Sequence, residues 1–97
     1  MIVSFKDEGT RDVWHGKDTR AARKTCPPTL WRTAQKKLQW MNSAQSLGTL
    51  SKPPGNGLEK LAGDRAGQHS IRVNLQYRIC FRWTDSGPAE VELVDYH

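Results

Sequence analysis

Long apolar runs are absent from this sequence. No stretch approaches the roughly 18 apolar residues that a membrane-crossing helix needs, so no span is expected. The start, MIVSFKDEG, has no charged segment followed by an apolar one. A secretory signal is therefore not expected, and the chain reads as cytoplasmic. Cysteine is scarce, with Cys26 and Cys80 alone. That excludes a disulfide framework. One bridge is possible, but without a signal peptide the pair reads as free thiols. The histidines, His15, His69 and His97, stand at scattered spacings that make no metal-ligand pattern with the cysteines. There is no glycine-rich phosphate loop and no serine elbow, so no metal and no cofactor is expected. Acids are outnumbered, ten against fifteen Lys and Arg, which gives a net charge of +5. A surplus of cations raises the local concentration of polyanions, and nucleic acid is one candidate partner.

What is present divides into helical and alternating segments within a single domain, residues 1–97. Met1 to Lys6 is short and β-prone, and reads as a strand. Asp7 is placed to cap a helix over Glu8 to His15, with Gly16 just past its end. Lys17 to Lys24 (KDTRAARK) is a basic run, read as a solvated surface or an anion-binding arm. Pro27-Pro28-Thr29 opens the strongest helix, with Thr29 as its cap. Leu30, Ala34, Leu38 and Met41 then fall on one helical face down to about Ser43 or Ala44. Gln45 to Gly57 is a loop. Leu58 to Ala62 is a strand entering a meander, and 63–67 is a turn.

Three alternating segments close the chain. Ile71 and Val73 share a face, as do Tyr77, Ile79, Phe81 and Trp83, and later Val91 and Leu93. Ser70 and Arg72 point the other way, as do Arg78, Cys80 and Arg82, and then Glu90, Glu92, Val94 and Tyr96. Period-two alternation implies a sheet covered on one side only. The expected architecture is α+β: two N-terminal helices packed on one face of a mostly antiparallel sheet, in the order β-α-α-β-β-β-β.

The open face of that sheet would carry Arg72, Arg78 and Arg82, with Tyr96 on the next strand. Guanidinium groups gathered on one face can hold phosphate oxygens in bidentate pairs. The same arginines can instead form exposed pairs with Glu90 and Glu92. The chain ends Asp95-Tyr96-His97, and histidine is the side chain best suited to moving protons near neutral pH. Alternation sets Tyr96 with Arg78 and puts Asp95 and His97 on the opposite face, a rule that need not hold beyond the last ladder bond. His69 begins a strand and is a further candidate. RNA cleavage by its own 2′-hydroxyl needs a base, cations on the phosphorane and an acid, and these residue types supply all three.

The run PPGNGLEKLAGDRAGQHSIRVNLQYRICFRW and the ending VELVDYH resemble the HigB-type toxins (plasmid maintenance killer proteins) of the RelE/ParE superfamily. The resemblance spans essentially the whole chain. It implies a RelE-like fold and a metal-independent, ribosome-dependent endoribonuclease, an mRNA interferase that enters the ribosomal A site. It implies a HigA-like helix-turn-helix antitoxin as partner. Operator DNA would be bound only through the toxin–antitoxin complex, which represses its own operon. It places the catalytic residues at Arg78, Asp95, Tyr96 and His97. Arg78 would lie on the scissile phosphate, His97 would carry protons, Asp95 would orient or act as base, and Tyr96 would stack. Lys60, Arg65, His69, Arg72 and Arg82 are the expected phosphate contacts. The pattern departs at one strand. Related toxins often carry a histidine and a lysine where Glu59 and Ala62 stand here, and Lys60 and His69 are the candidates to replace them.

Two rival readings follow from the same residues. One is a ParE-like gyrase poison, which needs no proton-transfer residues. The other is a non-catalytic nucleic-acid-binding module, which needs Arg72 and Arg82 but not His97.

Overall fold

The computed structural model describes residues 1–96. In chain order it holds α1 (Glu8–Trp14), α2 (Arg20–Thr25), α3 (Trp31–Ser43), β1 (Glu59–Lys60), β2 (His69–Arg72), β3 (Tyr77–Thr84) and β4 (Gly87–Asp95). The strands form one antiparallel sheet in the order β1-β2-β3-β4. Helix side chains Val13, Leu38 and Met41 and sheet side chains Ile71, Ile79 and Phe81 form the core, all without exposed surface. The expected α+β architecture is what forms, with one more helix than the sequence pattern showed.

Helix α1 begins as expected: the Asp7 carboxylate accepts from Thr10 N at 2.7 Å, and Gly16 leaves the helix at φ 71°. Inside it, the Thr10 hydroxyl accepts from Leu93 N at 3.0 Å and fastens α1 to β4.

Part of the basic run folds as α2 rather than as a solvated arm. The Thr19 hydroxyl caps Ala22 N at 3.1 Å and donates to Asp12 Oδ2 at 2.7 Å. Ala22 is fully buried, while Arg20, Arg23 and Lys24 stay exposed. Six residues are too few to show a 3.6-residue stripe, which is why periodicity misses this helix. Gly9, which weakens α1 by propensity, is explained by α2. A Cβ there would overlap the Thr25 hydroxyl and lie 2.6 Å from the Ala21 carbonyl oxygen. Gly9→Ala should therefore cost about 1–3 kcal/mol by overpacking. The denaturant midpoint should fall with no change in the slope of the transition.

Helix α3 follows the expected stripe, but its start differs. A 3-10 turn over Pro28–Leu30 precedes it, and no side chain caps it, Thr29 included. The loop after α3 contains a further 3-10 turn, Leu47–Ser51, which buries Leu50 against the core.

The opening strand is reduced to an isolated parallel bridge, Phe5 with Val91. The segment runs beside β4 through Val3 N to Pro88 O (2.7 Å), Val91 N to Ser4 O (3.1 Å) and Lys6 N to Val91 O (2.9 Å). A continuous ladder is blocked because β4 bulges opposite Cys80 and Arg82, and Glu90 sits at φ 51°. There the Glu90 amide bonds the Ser4 hydroxyl instead of a carbonyl. The strand expected over Leu58 to Ala62 keeps only Glu59 and Lys60 in the ladder, and Gly63–Arg65 is a 3-10 turn.

The sheet is not open on its whole second face. Ser70, Arg78 and Cys80 lie on that side and are all buried. The 53–57 loop lays Gly57 against Arg78, and Arg65 reaches across to Glu92, the cross-strand partner of Cys80. Both cysteines are free and buried, and burial pushes the Cys26 thiol up to about 11. Among the described residues no helix is long and apolar enough to cross a membrane.

Candidate nucleic-acid interface and active site

Cross-strand register decides which side chains share the second face. Directly opposed residues in antiparallel strands point the same way. Glu59 opposes Ser70, Ser70 opposes Cys80, Cys80 opposes Glu92, and Arg72 opposes Arg78, which opposes Val94. Tyr96 follows Val94 by two and joins this side, its ring centroid 5.9 Å from Arg78 Cζ.

Arg78 is the centre of the face. It is buried, 6% exposed, although it is an arginine on a strand. Its Nε donates to Ser70 Oγ at 2.7 Å. Its Nη2 donates to the Gly57 carbonyl and, at 3.3 Å, to the Ser70 carbonyl. Three bonds on one edge of the fork fix the guanidinium plane. Among the described residues no hydrogen bond engages Nη1. The Glu59 carboxylate stands 4.0 Å from it, beyond hydrogen-bond range. A rigid cation with unused donors, flanked by an aromatic ring and a half-exposed carboxylate, suits a phosphate with a base stacked beside it.

The other arginines of the face are partly occupied. Arg82 Nε meets Glu90 Oε2 at 3.1 Å, so one of the exposed pairings considered from the sequence does form. Arg65 Nη1 meets Glu92 Oε1 at 3.0 Å and Gln68 Oε1 at 3.1 Å. The Glu92 hydrogen bond raises the Arg65 pKa further, so the group stays cationic at any relevant pH. Arg72 is exposed, and its guanidinium borders Gly57 beside that of Arg78. Lys6 approaches Glu92 at 4.0 Å from the N-terminal segment. The Arg82–Glu90 pair is half exposed on both sides and worth little, whereas Arg65–Glu92 is the more buried of the two.

Three candidates are not brought to this face. His69 opposes Phe81 and its ring stacks on that ring at 6.2 Å, on the side facing the helices. Its Nδ1 is buried with no partner among the described residues. Lys60 opposes His69 and so shares its side, exposed on the edge strand. Asp95 opposes Tyr77, also on that side, and its Oδ2 accepts from Gln76 Nε2 at 2.9 Å. The proton carrier expected at His97 lies outside the described residues. Among the described residues no cluster of His, Cys, Asp and Glu could hold a metal ion.

Glu59 joins the site, although in the sequence it stands out only as a departure from the family pattern. The signal was its register. Among the described residues it is the acid that stands within 4.0 Å of Arg78, whereas Glu90 and Glu92 are drawn to Arg82 and Arg65.

The fold and this face define a small α+β protein that presents a fixed arginine among cations and carboxylates on one side of an antiparallel sheet. The particular family follows from comparison with known proteins. Residues 3–97 match the model of a RelE-like toxin of type II toxin-antitoxin system HigB, and the chain belongs to that family. It is 36% identical to Toxin HigB-1 of Vibrio cholerae serotype O1 over 97 residues, covering 100% of this chain and 98% of that one. It is also 32% identical over 82 residues to an uncharacterized protein of Haemophilus influenzae, covering 84% of this chain and 78% of that one. In three dimensions it is similar to a chain of the YoeB-YefM complex from Staphylococcus aureus. The TM-score is 0.61 over 100% of this chain and 98% of that one, at 13% identity, a likeness of fold alone.

Proposed function

We propose that this type II toxin is a metal-independent endoribonuclease that cuts mRNA in the ribosomal A site and so inhibits translation. The observation that supports this most is the environment of Arg78: locked on one edge, with Nη1 turned toward Glu59 and Cζ over the ring of Tyr96. In the reaction the Glu59 carboxylate takes the proton of a 2′-hydroxyl. The 2′ oxygen attacks the adjacent phosphorus, and Arg78 holds the phosphorane that develops there. The 5′ oxygen leaves with a proton from His97, giving a 2′,3′-cyclic phosphate and a free 5′-hydroxyl. Tyr96 stacks on a neighbouring base. Arg65, Arg72 and Arg82 hold flanking phosphates, releasing Glu92 and Glu90 as they do. Asp95, tied to Gln76 on the other side, anchors the end of β4 rather than acting as base. A HigA-like helix-turn-helix antitoxin would neutralise the toxin, and the pair would repress its own operon.

Induction of the chain should arrest growth, and co-expression of a helix-turn-helix protein encoded beside it should restore growth. A gyrase poison would break DNA and leave mRNA whole. A non-catalytic binder would keep its effect in Glu59→Gln and lose it on charge reversal of Arg72 and Arg82.

A further inference from the structure

Lys37 lies on the face of α3 that carries Ala34, Leu38 and Met41, and it is 8% exposed. Its ammonium donates to Asn56 Oδ1 at 2.6 Å and lies 5.0 Å from the centroid of the Trp40 ring. No carboxylate among the described residues pairs with it. Burial first, then the charges of Lys36 and Arg72, hold its pKa below the usual lysine range. An apolar side chain of similar length would fill this place without that desolvation cost. Core packing therefore does not account for the charge.

What the charge holds is a loop. Asn56 has no exposed surface. Its Nδ2 donates to Leu50 O at 2.8 Å, its amide N to Pro53 O at 3.3 Å, and its carbonyl accepts from Arg72 N at 2.6 Å. The next residue, Gly57, adopts φ 51° and presents its carbonyl to Arg78 Nη2. A chain of direct contacts thus runs from α3, through one side-chain amide, to the guanidinium of the site.

We propose that Lys37 and Asn56 are positioning residues of the active site. They fix the 53–57 loop so that Gly57 holds Arg78 Nη2 and leaves Nη1 turned toward Glu59. This rests on reading Arg78 as the phosphate ligand. Neither residue touches substrate. Their effect is transmitted through one carbonyl, and a shift of about 1 Å in a reacting group is enough to cost roughly 100-fold in rate.

The test uses the full chain carrying Lys37→Met and, separately, Asn56→Ala. The guanidinium NMR signals of Arg78 report whether Nη2 is held, independently of activity. In the parent protein the Nη protons should be resolved, because bonding to Gly57 and Ser70 slows rotation about the Cζ–N bond. In both variants these signals should merge. The kcat for cleavage of translated mRNA should fall about 10- to 100-fold with KM little changed. Lys37→Arg, which keeps a cationic donor for Asn56 Oδ1 and leaves the Asn56 amide on Leu50, should retain resolved signals and most of the activity. A folded Lys37→Met or Asn56→Ala protein with parent-like Arg78 signals overturns the proposal, whatever its activity. So does parent-like kcat, and so does failure of both variants to fold, which would make the pair a fold element only. If Arg78→Ala cleaves normally, the reading of the site falls instead, while the signals still decide the positioning.

Discussion

Arg78→Ala should lower mRNA cleavage by at least about 10²–10³-fold and abolish growth arrest. Among the described residues the fork is the only cation of the face whose plane is fixed by three bonds, and its Nη1 side faces the proposed phosphate site. Arg78→Lys should recover little. A lysine restores the charge but cannot reach Ser70 and Gly57 while also presenting a fork to phosphate. The alanine variant also leaves the Ser70 hydroxyl and the Gly57 carbonyl without their donor, at about 1–3 kcal/mol for each group that stays buried and unpaired. Stability must therefore be read beside activity. The expected variant is weakened but folded, still binds its antitoxin, and does not cleave. Full toxicity in a folded Arg78→Ala protein would remove the basis of the mechanism.

Glu59→Gln is the second large effect expected, and the cleaner one. The side chain is half exposed and only 4.0 Å from Arg78, so the ion pair adds little to the fold. The amide keeps the shape and loses the basic oxygen. The kcat should fall by about 10²–10⁴-fold, with the melting temperature and antitoxin affinity nearly unchanged. If Glu59→Gln cleaves at the parent rate, another group takes the 2′ proton.

The sheet was legible in the sequence because its alternation is strong. The inward residues Ile71, Ile79, Phe81 and Leu93 fell where the pattern put them, although the strands differ at their ends: β1 keeps only Glu59–Lys60, β2 stops at Arg72, and β4 starts at Gly87 inside the expected turn. The α3 stripe was legible for the same reason at the helical period. Three features were not. Helix α2 is shorter than two turns and buries little more than Ala22, so it leaves no periodic trace. The opening strand depends on a partner some 85 residues away that happens to bulge at Glu90, which no local pattern encodes. The burial of Arg78 comes from a loop of Pro, Gly and Asn, whose composition says turn but not where the turn lies.

The candidate site was legible in part. Arg65, Arg72, Arg78, Arg82 and Tyr96 do meet on one face, and alternation placed Arg78 with Tyr96 correctly. Lys60 and His69 were chosen for chemistry alone, and register takes them to the other side. Glu59 was passed over for its type, although the same register brings it to Arg78.

The central claim is that this face cuts mRNA on the ribosome. It is tested most directly by primer extension on an mRNA exposed to the purified chain, with translation either running or blocked before initiation. Breaks should be confined to the translated reading frame, each with a 5′-hydroxyl on the downstream fragment. The breaks should be absent when translation is blocked and absent with Arg78→Ala. Intact mRNA in the presence of a chain that still arrests growth would contradict it.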